Sequence, residues 1–313
     1  MIFKDGIGVP SSGARITWDG DGILNGVIVG GDGACRIRLD SDLCLGGTAS
    51  MAFSSTGSMR FYALNKKIVF NSHIDCSGSL GRIVVVGDSY MVIDGQKNTL
   101  KINQLVSNDE TQSTLSLNNM RLLCLANAPI PNINNLNQLI LNNVIVIGSR
   151  DSGTRRMFET ISNPIKIQGT VKFLKDGDGR VKCGGVGFSI EKNSTLYIGP
   201  GVVLTNIGSI TFEDQTAILH LDGCDFYTGN DVDGSGYDVT GTALSSTLSA
   251  LTKGTLLFQN KVRIFNKSYG GLSNSDMSKA LVFGDGTTTG GLNVRVLGGA
   301  YVIIDGCLQY KDS

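Results

Sequence analysis

The side chains best placed for chemistry are oxygen donors. Asp231, Asp233 and Ser235 alternate ahead of Gly236, which opens like a calcium loop, with oxygens at the first, third and fifth positions and a glycine for the sharp turn at the sixth. The twelfth position, where such a loop needs a bidentate carboxylate, is Thr242, and Asp238 is the further oxygen within reach. A weak calcium site and a plain polar loop both fit this segment. "DGDG" (19–22) and "DGDGR" (176–180) repeat the chemistry in shorter form, and turn propensity explains them without an ion. Calcium is thus the one cofactor the residues suggest, and no other is expected.

Acid–base and nucleophilic candidates are few. Histidine, the commonest general base near neutral pH, occurs only as His73 and His220. His220, in "ILHLDG", alternates with Leu219 and Leu221 and is expected to face outward from a strand. His73, in "FNSHIDC", has no Ser or Cys partner with an orienting carboxylate in view, so no catalytic triad is expected and no catalytic residue is assigned. "SRDSGTRR" (149–156) gathers three Arg that suit an acidic glycan, a partner's carboxylate or simply open solvent, the last being the preferred reading. The seven cysteines form no CxxC pair, and most sit within apolar runs as small buried hydrophobes.

Something must hold these residues, and composition says what kind. Glycine numbers 42 of 313 residues, against only five prolines, and the chain is rich in Val, Ile, Leu, Thr and Ser. That mixture favours many strands joined by tight turns, and no segment keeps a helical apolar period. Lys plus Arg and Asp plus Glu both total 27, so no global field draws the chain to nucleic acid or to an anionic membrane. No apolar run approaches the ~18 residues of a membrane-spanning helix, and "MIFKDGIGVP" is not a secretory signal.

The strands recur. "STLSLNNMRLLCL" (113–125), "NQLILNNVIVIG" (137–148), "STLYIGPGVVLTN" (194–206), "TAILHLDGCDFYTG" (216–229), "GTLLFQNKVRIFN" (254–266) and "LNVRVLGGAYVIID" (292–305) each read as strand, polar or Gly pair, strand. Weaker relatives are "CRIRLDSDLCLGG" (35–47), "RFYALNKKIVF" (60–70), "RIVVVGDSYMVID" (82–94) and "IKIQGTVKFL" (165–174). Asn118 and Asn142 are 24 residues apart, and Gly199 and Asp222 are 23 apart, a period typical of solenoids, propellers or arrays. Asp222 to Gln259 and Gln259 to Gly298 stretch to 37 and 39 residues, which places loop insertions at 229–252 and 268–291.

The central pairs admit two readings. Asp222-Gly223 and Gly298-Gly299 are hairpin signals, which would make a sandwich or barrel. Gln259-Asn260 and Gly199-Pro200 fit a reversing turn badly, and a corner that bends without reversing lets each strand pair with its equivalent one period on. The corner reading is preferred. It expects a core that includes Leu115, Leu117 and Leu122, and amides of Asn118 and Asn142 stacked at equivalent corners or simply exposed in turns.

These "LxLxNN" and "LxLxG" units, which cover most of 15–306, resemble the pectin-lyase-like right-handed parallel β-helix proteins, and especially non-catalytic bacterial surface solenoids. The resemblance implies an all-β, single-stranded right-handed parallel β-helix of about ten rungs, a rod on the order of 50 Å at ~4.8 Å per rung. It would form one domain over 1–313, with 1–14 as a lead-in. It also implies a mature or excised chain that is extracellular or at the cell surface. The function expected is a non-enzymatic structural, adhesive or filament-forming module, self-associating through its end rungs and meeting a glycan or surface protein through its insertions. The rival is a polysaccharide lyase or glycoside hydrolase on the same scaffold. The Asn-Thr-Asp, Asp-Asp, Gly-His-Gly and Arg-Ile-Lys motifs of polygalacturonases are absent, and Trp18 is the sole tryptophan for stacking a sugar.

Overall fold

A computed structural model describes residues 2–3, 7–9, 15–19, 22–24, 27–30, 34–46, 50–53, 58–62, 65–76, 82–85, 90–107, 113–124, 133–148, 157–176, 180–182, 185–205, 207–227, 252–265, 281–284, 286, 291–305 and 308–310. All regular structure among them is β, the strands whose register is defined pair in parallel, and the chain is a parallel β-solenoid. It divides into two compact units, Met1–Ile147 with Thr160–Asn163, and Gly148–Glu159 with Pro164–Ser313.

In the first unit each rung contributes to three strand columns. The first column stacks Ile2–Phe3, Ile23–Leu24, Leu43–Leu45, Lys66–Phe70 and Tyr90–Asp94. Its register pairs Ile2 with Ile23, Ile23 with Cys44, Leu43 with Ile68 and Lys66 with Met91, so a rung consumes 21 to 25 residues. The second column holds Ile7–Val9, Val27–Gly30 and Ser50–Phe53, and, further on, Ile74–Cys76 paired with Thr99–Ile102. The third runs through Arg15–Trp18, Ala34–Leu39, Ser58–Tyr62, Arg82–Val85, Gln104–Ser107 and Ile133–Leu136. Stacking therefore begins within the segment 1–14.

The corner at Asn118-Asn119 bends without reversing. Thr114–Cys124 is one strand of 11 residues whose first part pairs with Tyr90–Asp94 and whose second part pairs with Thr99–Ile102, both parallel. Asn119 takes the bend at φ 51° and Asn143 does the same at φ 53° in Gln138–Gly148. Asparagine tolerates this left-handed conformation better than other residues with a side chain. Because the bend shifts the alternation by one, Leu115, Leu117, Met120, Leu122 and Cys124 all reach the interior and are buried.

The second unit repeats the plan. One column stacks Thr170–Leu174, Thr195–Ile198, Ile218–Asp222, Gly254–Gln259 and Leu292–Val296. A second stacks Arg180–Lys182, Val203–Thr205, Asp225–Tyr227, Lys261–Phe265 and Tyr301–Asp305. A third holds Ile165–Gln168, Phe188–Ile190 and Ile210–Phe212. Leu281–Phe283 pairs separately with Leu308–Tyr310. The long interval after Asp222 leaves the register intact, because Ile218 pairs directly with Thr255. Most of both insertions, 229–252 and 268–291, lies outside the described residues, as does "SRDSGTRR".

The core is a stack of like on like. Phe158, Phe173 and Phe188 are fully buried and meet edge to face, with ring centroids 6.1 and 6.0 Å apart, the geometry that aromatic quadrupoles favour. Close approach between rungs leaves no room beside Gly187, where a Cβ would lie 2.4 Å from the Ser209 carbonyl oxygen. Phe173→Ala should destabilise the protein by about 3–5 kcal/mol through its cavity, whereas Arg121→Ala, at an exposed position, should change stability by no more than about 0.5 kcal/mol. Urea unfolding of the two variants beside the parent checks the contrast.

Candidate functional site

The richest polar cluster stands on the outer face of the second unit. Leu196, Ile198, Leu219, Leu221, Leu256 and Phe258 point into the core, so strand alternation turns the residues between them outward. Lys172, Tyr197, His220, Leu257 and Arg295 therefore form one in-register row, each paired with the next across neighbouring strands. His220 does face outward, as its alternation with leucines predicts.

The row is knotted to the corner beside it. Asp222 closes its strand with a carboxylate that is 95% buried, its relative exposure being 5%. Tyr197 Oη donates to Asp222 Oδ2 at 2.5 Å and Asn260 Nδ2 donates to Oδ1 at 2.7 Å, so both oxygens are engaged. His220 Nε2 lies 3.0 Å from Gln259 Oε1, an acceptor, which favours the tautomer with the proton on Nε2. The His220 and Tyr197 rings meet edge to face at 4.9 Å, and Lys172 Nζ sits 5.7 Å from the Tyr197 ring centroid, a cation–π distance.

Electrostatics argues against reactive roles here. Burial, followed by the Asp222 hydrogen bond and charge, pushes the Tyr197 phenol well above its ordinary range, so it stays protonated and is a poor base. Burial and the Asp225 carboxylate push the Cys224 thiol up to about 12, which denies it the thiolate that a nucleophile needs. Burial also raises Asp225, against the opposing pull of Arg263 and Lys261. The cluster is built to bond inward, from one rung to the next.

The first unit contains the same device. Asp94, also only 5% exposed, accepts from Lys67 Nζ at 2.8 Å, from the Gln96 amide at 3.1 Å and from Asn119 Nδ2 at 3.4 Å, and Asn143 Nδ2 reaches Asn119 Oδ1 at 3.5 Å. Burial pushes the Asp94 carboxyl up, but Lys67 and the amide donors together outweigh it and hold it below its usual range. The amide ladder thus runs through Asn119 and Asn143, one residue after the Asn118 and Asn142 that the spacing suggests. The left-handed residue is the one whose side chain lies over the corner, while Asn118 Oδ1 accepts from Ser116 Oγ within its own strand.

The remaining candidates have plain placements. His73 Nδ1 accepts the Thr99 amide at 2.9 Å, a bond between rungs rather than a step in a triad. Cys44, Cys124 and Cys224 form no disulfide among the described residues, and the latter two are buried. Among the described residues no group of three or more His, Cys, Asp or Glu could hold a metal ion, and Asp231, Asp233, Ser235 and Asp238 lie outside that set. Sequence reasoning missed Tyr197, Asp222, Gln259 and Asn260 as a cluster. The signal was available in the repeats: Tyr197 and His220 are one period apart, and Asp222 and Asn260 both sit at corners.

No protein-family model, no curated protein and no solved structure matches the chain.

Two outcomes follow from the buried carboxylates. Tyr197→Phe leaves the buried Asp222 Oδ2 without its donor and should cost about 1–3 kcal/mol, read as a lowered thermal midpoint. Asp94 has a depressed native pKa, so its stabilisation is present above the unfolded value of about 3.9 and is lost as pH falls through the lower native value. Asp94→Asn should therefore flatten the acid side of the stability–pH profile, and denaturant titrations between about pH 2 and 6 measure the change of slope.

Proposed function

We infer that this solenoid is a non-enzymatic scaffold, right-handed and of about ten rungs, of the pectin-lyase-like kind, secreted or held at a cell surface as a structural, adhesive or filament-forming module. The observation that carries the reading is the fate of its best chemical groups. In both units the buried carboxylate, together with the amide, phenol or ammonium beside it, is joined to the next rung, an arrangement that supports stiffness rather than turnover.

Contact with a glycan or a surface protein is assigned to the insertions at 229–252 and 268–291, since loops on a rigid scaffold commonly carry binding. Asp231, Asp233, Ser235 and Asp238 within the first are the candidate calcium ligands. Self-association through end rungs draws support from the strands at 292–305. Val296 continues the column of buried Phe258 yet is 54% exposed, and Tyr301 is 53% exposed, an apolar edge open to further stacking.

Deleting 229–251 and 268–280, which spares the paired strand Leu281–Phe283, should abolish adhesion while leaving the circular dichroism and thermal midpoint of the solenoid in place; adhesion that survives deletion refutes their role. Sedimentation velocity across a wide concentration range, with calcium and with chelator, should show growing assemblies. A single monomeric species throughout refutes the filament.

A further inference from the structure

The rung at 292–305 has an open core. Leu292–Val296 pairs with Gly254–Gln259 and Tyr301–Asp305 with Lys261–Phe265, and neither has a second strand partner among the described residues. Val294 and Val296 continue the columns of Leu256 and Phe258, while Val302 and Ile304 continue those of Val262 and Ile264. The four preceding residues are buried, none more than 2% exposed. Their successors are not: Val294, Val302 and Ile304 are half-buried and Val296 is 54% exposed. Strand alternation keeps all four on the core side, so a row of core positions meets solvent together with the main-chain groups of a strand edge.

Such an edge pairs with another strand, and three features of Leu292–Val296 select its own copy. Length is the first. Leu292–Val296 has five residues, whereas Ile2–Phe3 and Ile7–Val9, edge strands of the first unit, have two and three. Direction is the second, because a two-fold axis makes the pair antiparallel, slightly more stable per residue than a parallel one. Sequence is the third. Full overlap of the five residues centres the pair on Val294, so that Val294 faces Val294, Leu292 faces Val296 and Asn293 faces Arg295. Apolar side chains then meet on the core side, and no like charges are opposed on the outer side.

We propose that two copies of this chain join through Leu292–Val296 about a two-fold axis, each closing the other's open core. The inference rests on the self-association read above and fixes its symmetry: the contact closes on itself, so a filament that uses it alternates in direction. Sedimentation velocity of the full chain should show the parent forming dimers. Val296→Lys sets an ammonium in the joint and should weaken dimerisation about ten-fold, with an unchanged circular dichroism spectrum. Asn293 is exposed; Asn293→Glu places a carboxylate opposite Arg295 of the second copy and should tighten the dimer several-fold at low salt, while Asn293→Lys should loosen it. Val294→Cys should give, on mild oxidation, a disulfide between residue 294 of one copy and residue 294 of the other, mapped by peptide mass spectrometry. Facing Cα atoms about 4.5–5.5 Å apart allow it. Should Val296→Lys not fold, the opposite responses of the two Asn293 variants decide. A parent that stays monomeric overturns both this proposal and self-association. Association that survives Val296→Lys, that answers alike to both Asn293 variants, or that yields no 294–294 disulfide overturns the two-fold joint alone and leaves self-association to another surface.

Discussion

Parallel in-register pairing between one rung and the next is the constraint on which the rest depends. It fixes every side chain to lie over its equivalent, so a residue has to suit its neighbours above and below as well as its own strand. Apolar positions meet this easily, as Leu on Leu and Phe on Phe, where stacking and burial reinforce one another. Polar positions are harder, because an ionised group stacked on its like repels it. The structure answers with complementary stacks: Asn119 over Asp94, Asn260 beside Asp222, and Tyr197 donating to that same carboxylate.

These stacks also explain how a corner holds its angle. At Asn119 and Asn260 the backbone is left-handed, at φ 51° and 56°, and each amide reaches a carboxylate belonging to the rung before. The residue that makes the bend thus also ties it to its neighbour. A carboxylate with both oxygens engaged is held in one place, which gives bends in both units the same chemistry despite different flanking sequences.

Much of the architecture could be read from recurrence, and what could not has identifiable causes. The corner at Asn118-Asn119 was recognisable because similar pairs return at a near-constant interval and several of them suit a reversing turn poorly. The three-strand rung was not recognisable. "RIVVVGDSYMVID" reads as one strand–pair–strand unit, yet Arg82–Val85 belongs to the third column of one rung and Tyr90–Asp94 to the first column of the next. Ile83, Val84 and Val85 are all buried, so that strand has no alternation to mark its face or its column. "CRIRLDSDLCLGG" spans the same kind of junction, between Ala34–Leu39 and Leu43–Leu45. The Tyr197–Asp222–Asn260 knot was hidden for another reason: its members lie in successive rungs, and only the register brings them together.

The intact register between Ile218 and Thr255 has a consequence for how such a chain can change over generations. The conformational cost of closing a connecting segment rises only with the logarithm of its length, about 0.6 kcal/mol for each doubling, while pairing across the gap returns the same contacts whatever lies between. Lengthening or replacing the stretch between Asp225–Tyr227 and Gly254–Gln259 is therefore nearly neutral for folding. New recognition surfaces can be tried there by insertion and deletion, without any compensating substitution in the stacked strands.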